Sequence, residues 1–92
     1  MHIKTVADLT SNIGAESIYF AIDNHRFPLI KRIDSFEIDK NTYDLLLENL
    51  EYTHTLGKIF PHNTNSIRYI LRNKLKADLF LLDPPWTGSE YK

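Results

Sequence analysis

The stretch that decides the fold is IKTVADLTSNIGAESIYFAI, residues 3–22. Its first seven residues are mostly apolar, rich in β-branched side chains, and followed by the polar turn TSNIG, which predicts a buried strand ending in a loop. Beyond Gly14, three apolar residues recur at helical spacing, namely Ile18, Ala21 and Ile22. A strand followed closely by a helix is therefore the first unit of the chain.

Three more strand-like segments follow. They are residues 33–38 (IDSFEI), residues 58–60, which Pro61 stops, and residues 77–82 (ADLFLL). With helical segments between them, the order β-α-β-α-β-α-β predicts an α/β fold with a parallel sheet, because each right-handed crossover packs its helix back on the sheet. The apolar run 77–82 is typical of a strand that is covered on both faces.

The second and third helices are predicted from apolar residues at helical spacing. These residues are Tyr43, Leu46, Leu47 and Leu50 in the second helix and Ile67, Ile70 and Leu71 in the third. Side chains suited to capping a helix precede both segments or lie in their first turn. The candidates are Asp39 or Asn41 for the second helix and Asn63 or Thr64 for the third.

Length and composition bound the possible functions. A chain of 92 residues is about one domain, which excludes a two-domain enzyme. The chain has no Cys, so it has no disulfide framework, no thiolate zinc site and no cysteine nucleophile, and a reducing compartment is expected. Its four His residues show no metal-ligand spacing, and no metal is expected.

The chain carries no segment that suggests a membrane or secretion. No apolar run approaches the roughly 20 residues of a membrane span, and the N-terminus lacks the pattern of a signal peptide. We expect an intracellular protein, cytoplasmic, nuclear or of viral origin, that is not secreted and has no membrane partner. The formal charge of −1 means that nucleic acid would have to be held by a local patch.

One region is locally basic. Its cationic residues are Lys58, Arg68, Arg72, Lys74 and Lys76, whereas residues 34–51 are acidic. Such a basic region either guides RNA towards one side of the molecule or is simply a solvated helix face.

Polar loops follow the four predicted strands. They are TSNIG (10–14), EID (37–39), PHNTN (61–65) and DPPWTG (83–88). In a parallel sheet, ligands bind at the carboxyl ends of the strands, near the point where the strand order reverses. These four loops are therefore the places where a site is expected.

In order and spacing, the loops resemble the motifs of the class I S-adenosylmethionine-dependent methyltransferases over nearly the whole chain. The segment DLTSNIG resembles motif I, whose tight turn lets the backbone approach the methionine part of the cofactor. The resemblance implies that Asp8, Thr10, Asn12 and Gly14 contact S-adenosylmethionine. Asn12 and Ala15 stand where glycines are common in the family, and Asn tolerates a left-handed backbone better than most residues.

The segment FEID, residues 36–39, resembles motif II of the same family. The resemblance implies that Glu37 accepts hydrogen bonds from both ribose hydroxyls and that Ile38 packs on the adenine ring. His62 and Asn63, after strand three, would contact the adenine edge. Alternatively, an acidic residue after a strand is a helix cap or a solvated charge, and Asn63 only caps the third helix.

The segment DPPW, residues 83–86, resembles motif IV of the methyltransferases that act on amino groups. Asp83 and the carbonyl of Pro84 would accept hydrogen bonds from an exocyclic amine, localising its lone pair for attack on the sulfonium methyl. Trp86 would stack on the base. These three are the catalytic residues that the resemblance implies. The alternative is a strand-ending turn whose Trp packs on the core.

The longer run DLFLLDPPWTGSEYK, with SIYFA after motif I, resembles the trimethylguanosine synthase group of RNA cap guanine-N2 methyltransferases. That resemblance implies methyl transfer to guanine N2 in capped or structured RNA. Bacterial ribosomal RNA guanine methyltransferases and DNA adenine methyltransferases share the core of the motif, so the motif leaves the base open.

The family resemblance implies a Rossmann-like methyltransferase half, a parallel four-stranded sheet in the order 3-2-1-4 with about three helices. A complete domain has seven strands, so residues 1–92 are expected to be a single domain truncated after strand four, with an exposed strand edge. Three interpretations follow: the cofactor-binding half of a longer or split enzyme, a remnant that binds cofactor, RNA or a partner without turnover, or an unrelated α/β module. The exposed edge would pair with a second copy or a larger methyltransferase.

Overall fold

A computed structural model describes residues 2–23 and 25–83. Strands and helices alternate along them: β1 (Thr5–Asp8), α1 (Ala15–Ile22), β2 (Arg32–Phe36), α2 (Lys40–Tyr52), β3 (Ile59–His62), α3 (Ser66–Asn73) and β4 (Leu79–Leu81). All strand pairs are parallel, and the sheet order is β3-β2-β1-β4. The α/β class and the order 3-2-1-4 are confirmed. None of the described helices has the length and apolar composition needed to span a lipid bilayer.

The core lies between the sheet and the pair α1 and α2. Successive side chains of a strand point to opposite faces of the sheet. Ile33, which is fully buried, therefore faces Leu46 and Leu50 of α2. Phe36 instead packs on the opposite face against Tyr69 of α3, with ring centroids 5.1 Å apart. The sheet is thus covered by two helices on one face and by one on the other.

The turn between β1 and α1 has a left-handed backbone at two residues. Asn12 has a φ of 52° and Gly14 a φ of 98°. At Gly14 the turn also passes against α2, because a Cβ added there would lie 2.6 Å from the Cδ1 of Leu46. Only glycine satisfies both the backbone angle and this close approach.

The third strand differs from the prediction, because Pro61 lies inside β3 instead of stopping it. The N–H groups of Ile33 and Glu37 donate to the carbonyls of Lys58 and His62. By the alternation of parallel pairing, Pro61 directs its nitrogen away from β2, and β3 is an edge strand of the described sheet. A proline is tolerated at such a position because the missing N–H has no ladder partner.

The other strands also differ from their predicted bounds. β1 and β4 are shorter than the predicted segments 3–9 and 77–82, and β2 begins one residue earlier and ends at Phe36. At the start of β4, the carboxylate of Asp78 accepts the N–H groups of Lys4 and Thr5 at 2.8 and 3.2 Å. A side chain there takes the place of a strand carbonyl, so regular pairing begins only at Leu79.

The helix caps are only partly as predicted. Asp39 caps α2 by accepting the N–H of Thr42, whereas α3 is capped by Asn65, which accepts the N–H of Arg68. The predictions of Asn63 and Thr64 as caps are wrong, because β3 extends to residue 62 and shifts the start of the helix.

The apolar face predicted for α3 is largely exposed. The exposed fractions are 57% for Ile67 and 74% for Leu71, and no residue of the helix is fully buried. Within α3, only Tyr69 makes a close aromatic contact with the sheet. The apolar periodicity therefore predicted the helix correctly, but it did not predict how little of the helix is buried.

The two described glycines allow a direct test of the β1–α1 turn. We expect Gly14→Ala to lower the free energy of unfolding by about 2–4 kcal/mol, combining a left-handed backbone with overpacking against Leu46. Gly57→Ala is the control, because a Cβ there meets nothing within 4 Å, and it should change stability by less than about 1 kcal/mol. Urea denaturation measures both, and equal effects would contradict this account of Gly14.

Candidate functional site

A cavity of about 240 Å³ lies at the carboxyl end of the sheet. It is formed by the loops after β1, β2 and β3, because parallel strands bring their carboxyl ends to one edge. Its lining residues are Leu9, Thr10, Asn12, Glu37, Ile38, Thr64, Asn65, Ser66 and Ile67. The structure thus brings together four of the predicted cofactor residues: Thr10, Asn12, Glu37 and Ile38.

Glu37 joins two of these loops. Its Oε1 accepts the N–H of Asn12 at 3.0 Å, and its Oε2 accepts the N–H of Asp39 at 2.9 Å. The carboxylate is therefore fixed in orientation at the end of β2. Each carboxylate oxygen has a further lone pair, so the group can still accept hydrogen bonds from hydroxyls of a ligand.

Ile38 supplies an apolar surface beside that carboxylate. Its side chain is 66% exposed although it follows a buried strand, and it lines the cavity. An exposed apolar residue is unremarkable on its own. Next to an oriented acceptor in a cavity, it offers a surface for a flat ring.

Asn63 lies beside the site without lining the cavity. Its amide Nδ2 donates to the carbonyls of Glu37 and Ile38 at 2.9 and 3.2 Å, so it holds the loop that carries them. Asn65 and Ile67 line the cavity instead, and neither was predicted as a site residue from the sequence. Because β3 runs to residue 62, the cavity-lining part of this loop is displaced along the chain.

His62 also lies apart from the cavity lining. It stacks on Phe36 with ring centroids 4.7 Å apart, and its Nε2 is 2.9 Å from Oδ1 of Asp34. Arg32 donates to both carboxylate oxygens of Asp34 at 3.0 and 3.1 Å. Burial acts to raise the pKa of Asp34, but hydrogen bonds from Arg32 and His62 outweigh it and hold the pKa below its usual value.

Asp8 lies at the base of the β1–α1 turn and is 1% exposed. The Ser17 hydroxyl is 2.6 Å from its Oδ2, and the hydroxyl oxygens of Ser17 and Ser35 are also 2.6 Å apart. Burial raises the pKa of Asp8, and hydrogen bonds from Ser17 and Ser11 only partly offset it. A buried carboxyl with a perturbed pKa in a cleft is typical of a functional position.

A smaller hollow of about 70 Å³ lies beside this turn. Asp8, Glu16 and Asp83 are three acidic residues among those that line it. Burial raises the pKa of Glu16, and a hydrogen bond with Asp83 and the charges of Asp8 and Asp83 act in the same direction. The hollow favours a positively charged group. Glu16 was not predicted as a site residue, although its place in the first turn of α1, directly after motif I, is a usable signal.

Thr10 connects the cavity to the loop after β4. Its hydroxyl donates to the carbonyl of Asp83 at 2.7 Å and accepts the N–H of Asp83 at 2.8 Å. Asp83 is thereby held next to the β1–α1 turn with its side chain exposed. The other predicted catalytic residues, Pro84 and Trp86, lie outside the described residues.

Metal-binding geometry does not occur among residues 2–23 and 25–83. There, no group of three or more His, Asp or Glu side chains is placed to hold a metal ion.

Solved structures resemble this chain closely in fold. A conserved hypothetical protein of Streptococcus pyogenes superposes with a TM-score of 0.70 at 21% identity, over 89% of this chain and 48% of that one. A tRNA m1G37 methyltransferase of M. jannaschii superposes with a TM-score of 0.68 at 18% identity, over 97% of this chain and 24% of that one. A protein of Pyrococcus horikoshii superposes with a TM-score of 0.63 at 19% identity, over 74% of this chain and 24% of that one. No protein-family model and no curated protein sequence matches.

The chain shares a Rossmann-like α/β fold with these structures, with four parallel strands in the order 3-2-1-4. The chain spans between about a quarter and a half of the length of these three structures. At such low identity the likeness shows the fold, and activity has to be argued from the site.

The two buried aspartates should affect stability with opposite signs. Asp8 has a raised pKa in the folded protein, so its contribution is present below the unfolded pKa and lost as pH rises through the folded pKa. Asp34 has a lowered pKa, so its contribution is present above the unfolded pKa and lost as pH falls through the folded pKa.

We therefore expect Asp8→Asn to raise the free energy of unfolding at neutral pH. Asp34→Asn should lower it by about 1–3 kcal/mol, because it weakens charge-assisted hydrogen bonds from Arg32 and His62. Both variants should converge on the wild-type protein in acid. Urea denaturation between acidic and neutral pH measures this, and a shared sign at neutral pH would contradict the assignment.

Proposed function

We propose that this chain binds S-adenosylmethionine in the cavity at the carboxyl end of its sheet. We further propose methyl transfer to an exocyclic amino group of a nucleobase, with guanine N2 in RNA as the acceptor. The observation that carries the proposal is the oriented carboxylate of Glu37, which lies at the end of β2 beside the exposed Ile38. An intracellular location accords with such a reaction.

The cavity fits the nucleoside end of the cofactor. Glu37 has free lone pairs for the two ribose hydroxyls, and Ile38 and Ile67 offer apolar surface to the adenine ring. The volume of about 240 Å³ is below the roughly 300–1,000 Å³ of pockets that enclose drug-sized ligands. It therefore suits part of the cofactor, and the remainder extends along the β1–α1 turn.

The hollow at that turn fits the charged end of the cofactor. The carboxyl groups of Asp8, Glu16 and Asp83 complement an ammonium and a sulfonium group. Asp8 lies deepest, and Gly14 keeps the turn free of side-chain bulk. Bound there, S-adenosylmethionine supplies an electrophilic methyl group on a positively charged sulfur.

Asp83 is the proposed acceptor-side residue. Its carboxylate would accept a hydrogen bond from the amino group of the base, which helps to localise the nitrogen lone pair for in-line attack. The two hydrogen bonds with Thr10 fix the Asp83 backbone, so the carboxylate starts from a defined position. A carbonyl from Pro84 and a stacking surface from Trp86 complete the proposal.

A second candidate is a cofactor-binding half that needs another polypeptide for turnover. It is favoured by β4, which is an outer strand of the described sheet and carries Phe80 with 46% of its surface exposed. An unpaired parallel edge offers backbone groups to a further strand. The partner would be a second copy or a larger methyltransferase.

The proposed cofactor site is tested by Glu37→Gln. We expect Glu37→Gln to weaken the binding of S-adenosylmethionine by about 10- to 100-fold, because a charged acceptor contributes about 1.5–3 kcal/mol. Isothermal titration with S-adenosylmethionine and with its demethylated product measures this. Glu48→Gln on the exposed face of α2 is the matched control and should bind like the wild type. Equal affinities for all three proteins, or no binding at all, would overturn the proposed site.

The proposed methyl transfer is tested by Asp83→Ala. We expect Asp83→Ala to lower the rate of methyl transfer to guanine-containing RNA by about 10²–10³-fold, the usual effect of removing one preorganised hydrogen-bonding group. Incorporation of a tritium-labelled methyl group into RNA measures the rate, with Glu51→Ala on α2 as the control. Cofactor binding without any transfer by the wild-type chain would favour the second candidate.

A further inference from the structure

Residues 52–77 contain no Asp or Glu, although the chain as a whole has 12 acidic residues. This segment includes β3, α3 and the turn after it. Its cationic side chains are Lys58, Arg68, Arg72, Lys74 and Lys76. The net charge of −1 therefore conceals a strongly basic region next to an acidic one.

Within this segment, α3 presents a surface that is both basic and apolar. Arg68 and Arg72 lie one helical turn apart and are exposed. Ile67 and Leu71, equally spaced, are 57% and 74% exposed. Together with Asn65, these four side chains line a shallow groove of about 650 Å³, which we call the α3 groove.

The arginines of the α3 groove have no acidic partner among the residues that the structure describes. The ion pairs found there join Asp34 to Arg32 and His62, and Lys40 to Asp44. The positive charge of Arg68 and Arg72 is therefore available to a ligand, and their separation is about 6 Å along the helix axis. Such a pair suits successive phosphates of an extended strand.

The α3 groove is continuous with the candidate cofactor cavity. Asn65 and Ile67 line both of them. A strand lying along α3 would therefore reach the carboxyl end of the sheet, where Thr10 holds Asp83. This continuity favours a ligand that reaches the candidate site over a ligand of an independent surface.

We propose that the α3 groove binds a single-stranded nucleic acid and leads it to Asp83. The delivery of a base to Asp83 rests on the proposed function, whereas binding of the strand does not. Arg68 and Arg72 would bind phosphates, and Leu71 would contact sugars and bases. An unpaired strand fits because its bases are accessible to such contacts, whereas those of an RNA duplex are largely hidden.

The test is fluorescence anisotropy with a labelled single-stranded RNA of about 12 nucleotides, measured over a range of salt concentrations. The matching single-stranded DNA and the RNA duplex are the other probes. Arg68→Glu/Arg72→Glu should reduce the slope of log affinity against log salt by about 1.4, since each phosphate contact contributes about 0.7. At 0.1 M salt this corresponds to a loss of affinity of about 25-fold.

A matched control has the same change in charge at the other end of the sheet. Lys4→Glu/Lys31→Glu alters exposed lysines near the starts of β1 and β2. It should leave the salt slope within error of the wild type. If both double variants lose affinity equally, binding follows net charge alone and the α3 groove is not the site.

A third variant tests the apolar contacts. Leu71→Gln changes a side chain that is 74% exposed, so the fold should be unaffected. We expect several-fold weaker binding of single-stranded RNA with an unchanged salt slope. If Leu71→Gln has no effect and poly-L-glutamate competes as well as RNA, the groove is a surface for an acidic protein and the proposal is wrong. Preference for the duplex would also overturn it.

Titration with S-adenosylmethionine separates this proposal from the proposed function. Arg68 and Arg72 do not line the cofactor cavity, so their double variant should bind the cofactor normally. RNA binding without cofactor binding would overturn the proposed function and leave the α3 groove supported. Cofactor binding without RNA binding would overturn the α3 groove as a binding site and leave the proposed cofactor site supported.

Discussion

The register of β1 between β2 and β4 is the constraint on which the rest of the structure depends. Val6 lies opposite both Ile33 and Leu79, and Asp8 lies opposite both Ser35 and Leu81. Because all three strands run in the same direction, their loops begin at the same level, and the loops after β1 and β2 line one cavity. A slip of one residue would exchange the two faces of a strand and remove Asp8 from Ser17.

The parts of the fold that could be predicted are those that follow from a repeated apolar pattern or from a local side chain. The apolar stripe of α2 and its Asp39 cap are local features, and both are observed. The place of Pro61 inside β3 and the exposure of α3 could not be predicted in the same way, because both depend on neighbours that are distant in the chain. A proline is permitted in β3 only because that strand lies at the edge of the described sheet.

Prediction of the candidate site had a similar limit. Thr10, Asn12, Glu37 and Ile38 do line one cavity, because each lies within a few residues of a strand end. After β3, however, a difference of two residues in the end of the strand replaces Asn63 with Asn65 in the cavity lining. Motif order identifies which loops meet, and only the register identifies which side chains face the ligand.

The two hydrogen bonds between Thr10 and Asp83 have a thermodynamic consequence. Thr10 lines the cavity on one side and holds the loop after β4 on the other. One hydroxyl group therefore holds both the N–H and the carbonyl of Asp83, so a ligand in the cavity that moves Thr10 also moves Asp83. By linkage, any effect of such a ligand on binding at Asp83 is matched by an equal effect of binding at Asp83 on the affinity of the cavity.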